Sequence, residues 1–139
     1  MSTLRMGFLV VMVLLAGCTM MKPKPAAAPA ATKSQIFILF FHPWDNTLTP
    51  DAKVIVDQAS TKVKETNPST VAVAGYTDND GSANDNWRLA NQRVKTVRDA
   101  MIADGVDPNL FLDLPLGAPD DSAGMTGDRR IEIRLTYGN

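Results

Sequence analysis

Residues 35–41 (QIFILFF) form a nearly unbroken apolar run of β-favouring side chains, which predicts a buried strand. His42-Pro43-Trp44-Asp45-Asn46 interrupts it. Thr49-Pro50-Asp51 then reads as a helix start. It offers an N-cap oxygen, a proline in the first turn and an acid favoured by the helix dipole. Ala52, Val56, Ala59 and Val63 follow at spacings of four, three and four, one apolar stripe that ends near Asn67-Pro68. Residues 70–76 (TVAVAGY) predict a second strand, apolar throughout and therefore central. After the polar stretch 77–85, a second helix is expected to begin near Asn84 to Asn86. Its stripe is Ala90, Val94, Val97 and Met101, and Gly105 stops it. Leu110, Leu112, Leu114 and Leu116 alternate with Phe111, Asp113 and Pro115, a period-two strand whose proline places it at an edge or near its end. A Gly/Asp/Ser loop at 118–128 leads to a last strand at 129–137. There Ile131, Ile133, Leu135 and Tyr137 share one face, and Glu132, Arg134 and Thr136 the other. The order βαβαββ predicts an α+β domain, a mixed four-stranded sheet with two helices on one face.

The first 33 residues follow neither period. Arg5 precedes an apolar run at 6–16 (MGFLVVMVLLA), about half the length needed to span a bilayer and typical of a signal-peptide core. The run ends at Leu15-Ala16-Gly17-Cys18, which resembles a bacterial lipobox. The resemblance implies cleavage after residue 17 and lipidation of Cys18 by diacylglycerol and a further acyl chain such as palmitate. Two or more chains on one residue anchor firmly where one does not. By analogy, Thr19 favours sorting to the outer membrane, with the domain facing the periplasm. Residues 18–33 continue as a Pro/Ala-rich tether (TMMKPKPAAAPAATK after the cysteine), which proline keeps from forming continuous helix. The expected organisation is therefore a signal peptide at 1–17, a lipidated tether at 18–33 and one domain at 34–139.

Charge sharpens this division. All 15 acids lie after residue 33, together with 10 basic residues, so the body carries a formal net charge of −5. An acidic body argues against nucleic acid as a partner. A single cysteine and a single histidine leave no framework for a disulfide network or a Cys/His metal cluster. No serine has a His/Asp partner set that would support nucleophilic catalysis, so the expectation is a non-enzyme with no cofactor and no metal.

The loop Tyr76-Thr77-Asp78-Asn79-Asp80-Gly81-Ser82 carries the most informative chemistry. It leaves a buried strand and enters a helix, a geometry that exposes ligand-binding groups. Asn86, Leu89/Ala90 and Arg93 share one helix side, so Arg93 points back toward Asp78. A carboxylate and a guanidinium facing one cleft complement a zwitterion. The plainer alternative is a loop–helix salt bridge with no ligand. Calcium at Asp78, Asp80, Asn84 and Asp85 is disfavoured, because Gly81 does not fall at the sixth position of a calcium loop. Asp85 reads instead as the cap of the second helix. Trp87 could stack on a sugar or pack at the helix start, and Trp44 and His42 are expected to pack over the sheet end.

These residues match a family in order. FFHPWDNTLTPDA at 40–52, GYTDNDGS, Asn86-x-x-Leu89-x-x-x-Arg93-x-x-x-Val97, GVDP and Asp128-Arg129-Arg130-Ile131-Glu132-Ile133 resemble the OmpA C-terminal-like domain. That domain occurs in peptidoglycan-associated lipoproteins, the tail of OmpA porins and the flagellar stator protein MotB. The resemblance implies a lipid-anchored, non-enzymatic clamp that binds the diaminopimelate of the peptidoglycan stem peptide and tethers the outer membrane to the wall. It assigns the zwitterion to Asp78 and Arg93, with Thr77, Asn86 and Arg130 beside them. Ala90, Val94 and Asp128 depart from the family pattern, and the 118–128 segment is short for it. These departures motivate the alternative of a periplasmic assembly or interaction protein that contacts other envelope proteins and has kept the fold with weak or no wall binding. A wall hydrolase is a third, less supported class.

Overall fold

The computed structural model describes residues 33–119 and 128–138. The expected leader, Cys18, nearly all of the tether and most of the 118–128 loop lie outside the described residues. In chain order the elements are β1 (Ser34–Phe40), α1 (Pro50–Thr66), β2 (Thr70–Tyr76), α2 (Ala83–Ala103), β3 (Phe111–Gly117) and β4 (Arg130–Thr136).

Local chemistry sets the helix ends. Thr49 Oγ1 accepts the Ala52 N–H at 3.1 Å, so α1 opens on an N-cap with proline behind it. Asn67 closes α1 in the left-handed conformation, its N–H reaching the Val63 carbonyl. In α2 the cap is Ser82 and not Asp85. Ser82 Oγ accepts the Asp85 N–H at 3.1 Å and donates to Asp85 Oδ2 at 2.7 Å. A hydroxyl one residue outside the helix reaches the orphan amide that an acid inside the first turn cannot serve for itself. This starts α2 at Ala83, slightly before the expected position.

The sheet order is β1-β4-β2-β3, with β4 antiparallel to both neighbours and β2 parallel to β3. β2 is therefore central, as its unbroken apolar character predicts, and β3 is an edge, as Pro115 predicts. Both helices cover one face. Val56, Ala59 and Val63 from α1 and Val94, Val97 and Met101 from α2 close over Leu39, Val71, Val73, Ile131, Ile133 and Leu135. Each fully buried aliphatic side chain contributes about 1.5–3 kcal/mol through removal from water.

β1 corrects one expectation. Among the described residues it is an edge strand covered on one side only. Phe37 and Leu39 face the helices, whereas Ile36, Ile38 and Phe40 are 44%, 45% and 50% exposed on the helix-free face. A continuous apolar run reports β-propensity and does not by itself report two-sided burial.

Gly75 sets how closely α2 lies on β2. A Cβ there would stand 2.8 Å from Val94 Cγ2 and 2.9 Å from the Ala90 carbonyl oxygen. This close approach brings the middle of α2 down onto the C-terminal end of β2, where the candidate loop begins.

Candidate functional site

β2 ends at Tyr76, and its direction carries Thr77 and Asp78 into the interior rather than out to solvent. Thr77 is fully buried, with its N–H on the Gly117 carbonyl at 3.0 Å. Asp78 is 7% exposed, and its Oδ2 accepts from Arg129 Nη1 at 3.1 Å. Arg129 stands just before β4 and its carbonyl accepts the Phe41 N–H, so the turn into β4 is tied to the exit of β1. Arg129 Nε is itself buried and has no partner among the described residues.

Arg93 lies behind this pair and is fully buried. Its fork is committed to backbone. Nε donates to the Asp45 carbonyl at 2.9 Å, Nη2 to the His42 carbonyl at 3.0 Å and Nη1 to the Tyr76 carbonyl at 3.3 Å. The guanidinium carbon stands 5.1 Å from the Phe41 ring centroid. Burial pulls the Arg93 pKa down to about 10, and the Asp78 carboxylate opposes that shift. Arg93 therefore faces the Asp78 region, as its helical spacing predicts, but the ion pair of Asp78 is with Arg129. Arg93 is the framework of the site: it staples the 42–45 loop to the end of β2. Thr47 N–H in turn donates to Asp45 Oδ1 at 2.8 Å, which holds that carboxyl below the usual carboxylate range.

Asn86 is 2% exposed, and its Oδ1 has no hydrogen-bond partner among the described residues; the same holds for Thr77 Oγ1. Both belong to the expected set and both lie near the start of α2. Arg130 does not join the cluster. It stacks 4.0 Å from the Tyr76 ring centroid and bonds Glu132 Oε1 through Nε at 2.8 Å, on the helix-free face. The signal that separates the two arginines was present in the strand period. Ile131 faces the helices, so Arg129 shares its side and Arg130 takes the opposite one. Trp44 and His42 also correct the expected packing, since both are exposed. Trp44 holds a φ of 56° and rests its ring against Gly81.

The site thus combines one carboxylate and two guanidinium groups beneath the β2–α2 loop, with unpartnered neutral acceptors beside them. Such a set has the charge and hydrogen-bonding groups that a small charged ligand requires, and it contains no nucleophile–base pair among the described residues.

The OmpA family model matches residues 40–129, which span the site from the β1 exit to Arg129. The chain is 36% identical over 97 residues to the probable lipoprotein YiaD of Escherichia coli, covering 66% of this chain and 41% of that protein. It is 33% identical over 93 residues to the peptidoglycan-binding protein ArfA of Mycobacterium tuberculosis, covering 63% and 28%. It thus spans less than half the length of these two relatives. In fold it is similar to the peptidoglycan-associated lipoprotein from Burkholderia pseudomallei, with a TM-score of 0.64 at 20% identity, covering 73% of this chain and 90% of that one. The four-stranded mixed sheet under two helices agrees with the family match over most of the described domain, and that match makes the assignment: the chain belongs to the OmpA family.

Proposed function

We propose that this protein is an outer-membrane lipoprotein whose periplasmic domain grips peptidoglycan without covalent bonds, at the diaminopimelate end of a stem peptide. The observation that carries this is the Asp78–Arg129 pair, with Arg129 Nε lacking a partner among the described residues and Arg93 behind it. A zwitterionic amino-acid end offers an ammonium to Asp78 and a carboxylate to Arg129. It exchanges one internal ion pair for two, with Arg93 adding positive field from below. Thr77 and Asn86 supply acceptors at the wall of the cleft. The name of the ArfA relative supports wall binding, and the lipobox-like Leu15-Ala16-Gly17-Cys18 with the YiaD relative supports the lipid anchor. The function is binding and not catalysis. Co-sedimentation with diaminopimelate-type peptidoglycan tests it: the wild type pellets with the wall, and failure to pellet contradicts the proposal.

A second reading, an envelope interaction module, is favoured by the helix-free sheet face. Ile36, Ile38 and Phe40 of β1 and Leu112 of β3 are about half exposed there. Crosslinking to an envelope protein without wall co-sedimentation would favour it over the first.

A further inference from the structure

The turn that follows β1 carries an unusual residue. The His42 carbonyl accepts the Asp45 N–H at 3.2 Å, Pro43 stands second in the turn, and Trp44, the third, holds a φ of 56°. These are the marks of a type II turn, whose third place favours glycine because a side chain there is strained. Here that place holds an indole, and the indole is 57% exposed, so core packing does not account for it. Strain of this kind persists where the surroundings over-determine it. Arg93 does so from below, donating to the carbonyls of His42 and Asp45, the first and last residues of the turn.

The indole meets the β2–α2 loop at Gly81. A Cβ on Gly81 would stand 2.6 Å from Trp44 Cη2, so the ring takes the space that a side chain there would need. The loop has little else to hold it at this point. Among the described residues, Asn79, Asp80 and Gly81 take part in no hydrogen bond. Before Asp78, the Tyr76 carbonyl is tied to Arg93; after it, the next hydrogen-bonded residue is Ser82, the cap of α2. We propose that Trp44 is a positioning residue for the site. Its indole braces Gly81 and fixes the 79–81 segment, so Asp78 meets a ligand from a loop that is already ordered. Ordering in advance lowers the cost of association. Arg93 and Trp44 thus act as one device: the first holds the turn, and the second carries its rigidity across to the far side of Asp78. The inference takes its ligand from the wall-binding reading above and adds the residue that prepares the loop for it.

Trp44→Gly separates bracing from plain packing, because it relaxes the turn while it removes the brace. In the full chain, this variant is expected to melt at or above the wild-type temperature. Its backbone amide order parameters at residues 79–81 fall, and its affinity for free diaminopimelate-containing stem peptide drops about tenfold. Gly81→Ala pushes the ring off the loop from the other side and lowers the same affinity. Adding Trp44→Gly to it lowers that affinity no further, as expected when two changes break one contact. Unchanged order parameters in Trp44→Gly overturn the inference whatever the peptide does. So does equal peptide affinity in Trp44→Gly and a binding wild type, and so does a melting temperature that falls together with affinity, the sign of ordinary packing. A wild type that binds no stem peptide speaks against the wall-binding reading instead, and the order parameters still decide the brace.

Discussion

Asp78 and Arg129, 51 positions apart in sequence, meet at 3.1 Å where the end of β2 passes the start of β4. Their side chains are only 10% and 16% exposed, so the pair is shielded from the screening that makes surface ion pairs weak. It also separates two adjacent arginines. Arg129→Gln is expected to lower peptidoglycan co-sedimentation by about tenfold, while Arg130→Gln, on the opposite sheet face, leaves it close to wild type. Equal loss in both variants would show that the site does not follow the strand parity.

Arg93 gives a different signature because it holds the framework. Arg93→Lys keeps a charge but cannot serve carbonyls of Asp45, His42 and Tyr76 with one planar fork. A loss of about 2–4 kcal/mol in folding stability is expected by denaturant titration, since buried acceptors are left unpaired. Unchanged stability would contradict the framework role. Any loss of wall binding in this variant is to be read alongside its stability.

Gly75→Ala should also destabilise, by about 1–3 kcal/mol, because the new methyl meets Val94 and the Ala90 carbonyl within 3 Å. Ser82→Ala removes the cap of α2 and is expected to cost about 1 kcal/mol. The two changes act on different features, so thermal melts of the double variant should show near-additive shifts.

The pH dependence has a defined sign on both sides. Asp57, Asp85 and Asp99 are held below the ordinary 3.8 by hydrogen bonds from Lys53, Ser82 and Lys95 respectively. Depressed carboxyl values mean that their stabilisation is complete above the unfolded value and is lost as pH falls through the folded ones. These groups are solvent-exposed, so the acid limb below about pH 4 is expected to be shallow and flatter still in high salt. Arg93 behaves oppositely. Burial pulls its folded pKa down to about 10, below the unfolded value, so its burial penalty is constant below about pH 9 and is relieved as pH rises through the folded pKa. A melt series from pH 3 to 9 should therefore bend only at its acid end on account of these four groups.

Much of the fold was legible in period and punctuation. The Thr49-Pro50 start, the Asn67 stop, the four-three-four stripes and Pro115 each report a local rule that the tertiary structure leaves intact. The exposure of β1 was not legible, because an edge position is decided by where β4 inserts, far along the chain. The site was half legible. Asp78 and Arg93 converge as helix geometry requires, but a sequence spacing cannot say that three carbonyls will claim the guanidinium before a ligand does. Arg129 entered through a contact 51 residues away, which no local pattern encodes, although alternation from Ile131 pointed to its side.

The central claim is that Asp78 and Arg129 together receive a zwitterionic amino-acid end. Calorimetric titration of wild type and Asp78→Asn with free diaminopimelate-containing stem peptide tests it most directly, with folding of both proteins checked by circular dichroism. The account predicts saturable binding by wild type and a loss of about tenfold or more in Asp78→Asn. Equal affinity in the two folded proteins would contradict it.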